Sequence, residues 1–181
     1  FDISKSTQLR AQAEDFRDAA GKQKTQVSGE VVHQLRKGIE VTVGGKHTVL
    51  RNTAAGSENG NRSDVGAKVA YSPDEDQSYY LFGQLTARRD GNIKRNDRIG
   101  VGLKKKVTEK IGAEAEVSIG TSGIGALAAL TYDPTADDQY YLGYQLDPDR
   151  EHGSNALNGR DSGGIVLGAR RTLDGELTAY A

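Results

Sequence analysis

Apolar side chains recur at every second position along most of this 181-residue chain, the period of a β-strand with one apolar and one polar face. The clearest pair of such stretches is Ile99 to Val107 and Ile111 to Ile119, joined by Thr108, Glu109 and Lys110. In the second stretch Ile111, Ala113, Ala115, Val117 and Ile119 share one face, and Gly112, Glu114, Glu116, Ser118 and Gly120 share the other. That pattern is not helical. In the first, Ile99, Val101, Leu103 and Val107 lie opposite Gly100, Gly102, Lys104 and Lys106. Folding the two about their turn sets Lys104 across from Glu114, with Glu116 in diagonal reach, so the polar face is predicted to carry cross-strand ion pairs.

The same reading predicts strands near 25–35, 39–49, 64–72, 78–88, 97–107, 111–120, 124–132, 139–147, 163–172 and from 176 onward. Residues 7–17 read either as a further strand, the reading preferred here, or as an amphipathic helix with Leu9, Ala13 and Phe16 on one face, which leaves residues 1–20 ambiguous. Connections near 36–38, 73–77, 108–110, 133–138 and 173–175 are short, whereas those near 18–24, 50–63, 89–96 and 148–162 are longer; the one at 121–123 breaks the rule. This alternation of short turns and longer loops is how an antiparallel up-and-down barrel is strung.

Two of the short turns announce themselves. Tyr71 to Leu85 recurs sixty-one positions later as Tyr132 to Leu146, identical at eight of fifteen places, and each copy is an acidic Pro-containing turn wrapped in tyrosines. Six of the eight tyrosines flank these turns: Tyr71, Tyr79, Tyr80, Tyr132, Tyr140 and Tyr141. Amphipathic rings gathered at one level are what a membrane interface selects, so these six are the expected interface aromatics of one rim.

Composition narrows the classes. No Cys is present, which excludes a disulfide framework, a thiolate nucleophile and a Cys metal site. A formal net charge of −1 argues against a nucleic-acid partner. No run of about eighteen apolar residues exists, so no transmembrane helix is expected; a barrel, whose strands average out as polar, is not excluded. The chain starts at Phe1 without a signal-like segment and stops inside a strand pattern at ELTAYA, and both ends are read as those of an excised piece, with further strands expected beyond.

Alternation alone also fits a soluble antiparallel sheet packed on a second layer. Three features favour a membrane. The apolar face is mostly Ala, Val, Ile and Leu, with little Phe and no Trp or Met for a thick core. The polar face mixes charge with Gly66, Gly100, Gly102 and Gly112, as in a crowded wet interior. The tyrosines gather at strand ends. If a membrane is present, a Lys at mid-depth on the lipid face costs about 2–4 kcal/mol, so Lys104, Lys106, Glu114 and Glu116 are expected to line a lumen. Lys105 and Arg171 fall on the apolar side, each beside a short turn from which its stem can reach the headgroups.

No chemistry rises above the background. Asp161, Ser162, Gly163 and Gly164 spell a serine-protease-like string without its framework, and are read as a loop-to-strand junction. Residues Asp147 to Glu151 have calcium-loop acidity, yet His152 stands where Gly is needed. His33, His47 and His152 are scattered, the acidic turns Asp74 to Asp76 and Asp133 to Asp138 follow from turn chemistry, and Asn61, Arg62 and Ser63 form a glycosylation sequon that carries little weight. Arg88, Arg89, Lys94, Arg95 and Arg98 are read as one solvated basic loop with its strand ends, able to meet lipopolysaccharide phosphates. No catalytic residue, metal site or cofactor is expected.

The segment RNDRIGVGLKKKVTEKIGAEAEVSIGTSGIGALAALTYDPTADDQYYLGYQLDP resembles the outer-membrane β-barrel regions of large surface proteins of Gram-negative bacteria, a likeness that extends over residues 25–181. The resemblance implies an all-β, porin-like transmembrane barrel in the bacterial outer membrane, with about eleven strands visible and at least twelve in total. It implies a pore or the membrane anchor of a larger surface protein, with outer-membrane lipid, lipopolysaccharide, other envelope proteins or an attached extracellular or periplasmic domain as partners. The alternative is a soluble or secreted antiparallel β protein acting as an adhesin or binding module. Residues 1–181 are taken as one barrel domain or a fragment of one.

Overall fold

In the computed structural model the described residues are 2–19, 21–54, 56–121, 123–146, 164–173 and 177–180. They form an all-β, antiparallel, up-and-down sheet with no helix among them. The strands are β1 (Asp2–Ser4), β2 (Thr7–Arg17), β3 (Lys22–Arg36), β4 (Ile39–Asn52), β5 (Gly60–Tyr71), β6 (Gln77–Gly91), β7 (Arg98–Thr108), β8 (Ile111–Gly120), β9 (Gly123–Tyr132), β10 (Asp138–Leu146), β11 (Gly164–Leu173) and β12 (Leu177–Tyr180). Each pairs with its neighbours in sequence, with β1 and β12 at the two ends of the strand order. Residues 7–17 are a strand, because the partner β3 pairs with all eleven of its positions and tertiary pairing overrides the helical spacing.

Local chemistry sets the turns. Lys37 and Gly38 close β3 to β4, with Gly38 at φ 77°, a conformation that favours Gly. Thr108 Oγ1 accepts from the amides of Lys110 and Ile111 at 3.2 and 3.0 Å. In the first tyrosine-flanked turn Asp74 Oδ1 accepts from Asp76 N; in the second, Thr135 Oγ1 accepts from Asp137 N and Asp138 N. These are side chains mimicking backbone turns, which explains the acidity without an active site. The β2–β3 connection is shorter than the 18–24 expected. Lys22 already belongs to β3, held by its amide on the Asp18 carboxylate and by Asp18 N on the Lys22 carbonyl.

The contacts divide the chain into two compact units, residues 1–71 with 81–99, and residues 72–80 with 100–181. In the first unit the register stacks Leu9, Val31, Val43 and Ala67 in one row across β2 to β5. Flanking rows are Thr7, His33, Val41 and Val69, then Ala11, Gly29, Gly45 and Val65. In the second unit the rows across β8 to β11 are Ile111, Tyr132, Tyr140 and Ala169; Ala113, Leu130, Leu142 and Leu167; and Ala115, Ala128, Tyr144 and Ile165. Register therefore turns period-two patterns into continuous apolar walls.

Candidate functional site

Burial falls mainly on the face opposite these apolar rows. On those rows Val43, Leu130 and Leu167 are exposed, Leu167 by 78%, as are Val101 on β7, Val117 and Ile119 on β8 and Ile124 on β9. On the opposite face the buried residues include Thr42, Thr48, Arg62, Asp64, Gln84, Thr86, Arg98, Glu116 and Ser118, alongside Val32, Phe82, Leu127 and Ala129. In β8 the alternation is as the sequence predicts, with Ala115, Val117 and Ile119 exposed and Glu116 and Ser118 buried.

In the second unit the polar face is tied together by the residues expected on it. Lys104 Nζ lies 3.4 Å from Glu114 Oε2. The Tyr80 hydroxyl donates to Glu116 Oε2 at 2.9 Å, with a longer contact of 3.3 Å to Glu114 Oε1. Lys106 lies on the same side of β7 as Lys104, and its amide donates to the Asp76 carbonyl. Tyr80 reaches the carboxylates across Gly102, where a Cβ would fall on the tyrosine ring; Gly168 makes the same room for Tyr141. A Gly102→Ala variant is expected to displace the ring and lose about 1–3 kcal/mol, as overpacking does. Thermal unfolding of the variant checks the loss, and a Tyr80→Ala background in which Gly102→Ala costs the same would contradict the account, because the ring that the new methyl meets is then gone.

The six tyrosines divide between the faces. Tyr71, Tyr79, Tyr132 and Tyr140 are on the apolar face, each about half exposed, and Tyr132 and Tyr140 stack at a centroid distance of 6.3 Å. Tyr80 and Tyr141 are on the polar face, because neighbours in a strand point to opposite sides. Four of the six rings are thus on the apolar face. Tyr144, which the flanking rule misses, stands mid-strand on that face. Lys105 is exposed near the end of β7, and Arg171, two residues from the end of β11, is paired with Asp138 at 3.3 Å; both sit beside short turns, as expected.

The basic set is divided: Arg88, Arg89, Lys94 and Arg95 are exposed, as a solvated loop requires, and Arg98 is buried. β6 runs on to Gly91, so the connection is residues 92–97, and it folds onto the polar face of its own unit, burying Ile93 and Asn96. Arg62, itself buried, pairs with Asp64 at 2.8 Å and donates to the Lys94 carbonyl at 3.0 Å. Thr86 Oγ1 donates to Asp64 Oδ1 and accepts from Asn96 N, each at 2.8 Å, while Gln84 Nε2 donates to the Asn96 carbonyl. Lys94 pairs with Glu58 and Arg95 with Asp97, while Arg89 donates to the Ile93 carbonyl and Arg98 is buried. The segment also locks to the connection at 53–59. Asn92 N donates to the Asn59 carbonyl, Asn59 N donates to Asn92 Oδ1, and Asn52 N donates to Asn59 Oδ1.

The Asp97 carboxylate accepts from Arg95 Nε at 2.8 Å and from Thr86 N at 2.7 Å, and these bonds, the Arg95 one foremost, hold its carboxyl below the usual carboxylate range. A carboxyl depressed in the folded state stabilises it fully above the ordinary carboxylate value, and that contribution disappears as pH falls through the lower folded value. Unfolding midpoints followed from neutral pH to about pH 3 are expected to fall more for the natural chain than for Asp97→Asn. Parallel curves would contradict the assignment.

The remaining sequence candidates take modest places. His33 Nδ1 lies 2.9 Å from Thr7 Oγ1, and His47 Nδ1 lies 2.9 Å from Ser63 Oγ; both are cross-strand pairs on the exposed face. No group of three or more His, Cys, Asp or Glu able to hold a metal occurs among the described residues. Residues Asp147 to Glu151, His152 and the string Asp161, Ser162 and Gly163 lie outside the described residues. Comparison with protein-family models, curated proteins and solved structures finds no match to this chain.

Proposed function

We propose that this chain is a membrane-spanning β-barrel segment of a bacterial outer membrane, and that it serves as the membrane anchor of a larger surface protein or as the wall of a pore. The observation that carries the reading is the side on which burial falls: the apolar rows are exposed, whereas Arg62, Asp64, Arg98 and Glu116 on the other face are buried. In water such an apolar surface is a liability, whereas against acyl chains it is the stabilised arrangement. The apolar side of β8, Ile111 to Ile119, runs about 26 Å at roughly 3.3 Å per residue, and a tilt of about 40° projects it onto most of a hydrocarbon layer about 25 Å tall.

The polar face then meets the lumen, with Lys104, Lys106, Glu114 and Glu116 among its residues. Their mixed signs and mutual bonds favour a braced wall over a charge-selective filter, and the 92–97 segment occupying the polar face of its unit favours an anchor over a wide channel. A closed form of at least twelve strands requires the edges at β1 and β12 to find partners, in this chain or in a longer one. Lipopolysaccharide at the outer rim and an attached extracellular or periplasmic domain are the partners this reading supplies.

Refolding tests it. The chain is expected to reach a monomeric β-rich state in detergent micelles or lipid vesicles and to aggregate in buffer alone. A monomeric, cooperatively unfolding β protein in buffer without detergent would favour the soluble binding-module reading instead.

A further inference from the structure

At the margin of the exposed apolar face in the first unit, His47, Asn61, Ser63, Arg88 and Asp90 line one open cleft of about 150 Å³. Register places its floor. His47 is paired with Ser63 in the row that contains Ala13 and Val27, and Asn61 is paired with Val49 in the next row out. One row inward from His47 lies Val65, so the cleft opens directly beside the apolar wall. The related pair His33 and Thr7 makes the same 2.9 Å bond farther along that face.

The lining is chemically divided. The Arg88 guanidinium and the Asn61 amide are hydrogen-bond donors suited to a phosphate, and His47 Nε2 joins them in the tautomer whose Nδ1 accepts from the Ser63 hydroxyl. Asp90 is the one carboxylate among the lining residues and would repel a simple anion. Arg88 and Asp90 stand two residues apart on β6, about 6.6 Å along the strand, and make no ion pair with each other among the described residues. A guanidinium and a carboxylate in one cleft suit a ligand that carries both charges a few bonds apart.

We propose that this cleft holds the zwitterionic headgroup of a phosphoethanolamine lipid. Its phosphate sits on Arg88, Asn61 and His47, its ammonium on Asp90, and its acyl chains lie along Val27 and Val65. The inference deepens the membrane reading and rests on it for the acyl chains, whereas the headgroup contacts stand without it.

The test uses the full chain, in micelles of an uncharged detergent or in buffer if it folds there, titrated by calorimetry with glycerophosphoethanolamine, glycerophosphocholine, inorganic phosphate and a short-chain phosphatidylethanolamine. Glycerophosphoethanolamine is expected to bind about tenfold more tightly than glycerophosphocholine or inorganic phosphate, the effect of one charge-assisted hydrogen bond gained. Arg88→Gln is expected to lose binding of all phosphates. Asp90→Asn is expected to lose only the preference, and both side chains are exposed, so neither change threatens the fold. Equal binding of the two glycerophosphodiesters, or an unaltered preference in Asp90→Asn, would overturn the headgroup assignment even if the chain needs no membrane. Equal affinity for the short-chain lipid and its free headgroup would overturn the lipid source while leaving the headgroup site.

Discussion

Asp64→Ala is expected to destabilise the fold by about 3–5 kcal/mol, because it leaves the buried Arg62 guanidinium without its carboxylate. The side chains of Arg62 and Asp64 are 5% and 2% exposed, and the carboxylate uses both oxygens, one for Arg62 Nε and one for the Thr86 hydroxyl. Thr86 in turn receives the amide of Asn96. Loss of Asp64 therefore loosens the 92–97 segment as well as the pair. The check is twofold: denaturant unfolding for the energy, and limited proteolysis at Lys94 and Arg95 for the release of the segment. A variant that loses less than about 1 kcal/mol and stays resistant there would show that the pair behaves like a surface one. Replacing both charges with apolar residues of similar volume is expected to recover much of the loss, since the desolvation cost vanishes with them.

The second large effect distinguishes lipid from water. Ala128 lies near the middle of β9, exposed, in the row of Ala115, Tyr144 and Ile165. Ala128→Arg in lipid vesicles is expected to cost about 2–4 kcal/mol, the price of a guanidinium near mid-depth. The same substitution on a surface facing water changes stability by no more than about 0.5 kcal/mol. Arg at Thr131 on the opposite face of β9 is the matching control, expected to be tolerated where water and Tyr141 meet it. Equal small costs at both sites would remove the lipid from the account.

Much of this architecture was legible because a strand repeats every two residues and each face declares itself. The ladder of Ile111 to Ile119, the Lys104 to Glu114 pair and the position of every long strand follow from that period. The same rule, applied to Tyr79-Tyr80 and Tyr140-Tyr141, separates the rings onto opposite faces, a step that grouping them by turn passes over. The glycines opposite them, Gly102 and Gly168, are the further signal, since they are the space the inward rings need.

What stayed hidden was non-local. Nothing in RRDGNIKRNDR marks it as a segment that folds onto the polar face; its composition reads as a solvated loop. The fold-back depends on Asn59 meeting Asn52 across 7 residues and Asn92 across 33, and on Gly60 and Gly91, where a side chain would meet the Asp90 and Asn59 carbonyls. The cleft depends likewise on register: His47 and Ser63 are sixteen residues apart and become partners only when β4 and β5 align.

The central claim is that the exposed apolar face meets acyl chains. The chain has no Cys and no Trp, so single cysteines placed along β9 at Ala126, Leu127, Ala128, Ala129 and Leu130 can each carry a fluorophore without a competing site. In vesicles, quenching by a doxyl-labelled lipid is predicted at 126, 128 and 130 and not at 127 or 129, a pattern of period two. Uniform protection from the lipid quencher, or quenching of all five by aqueous iodide, would contradict the claim.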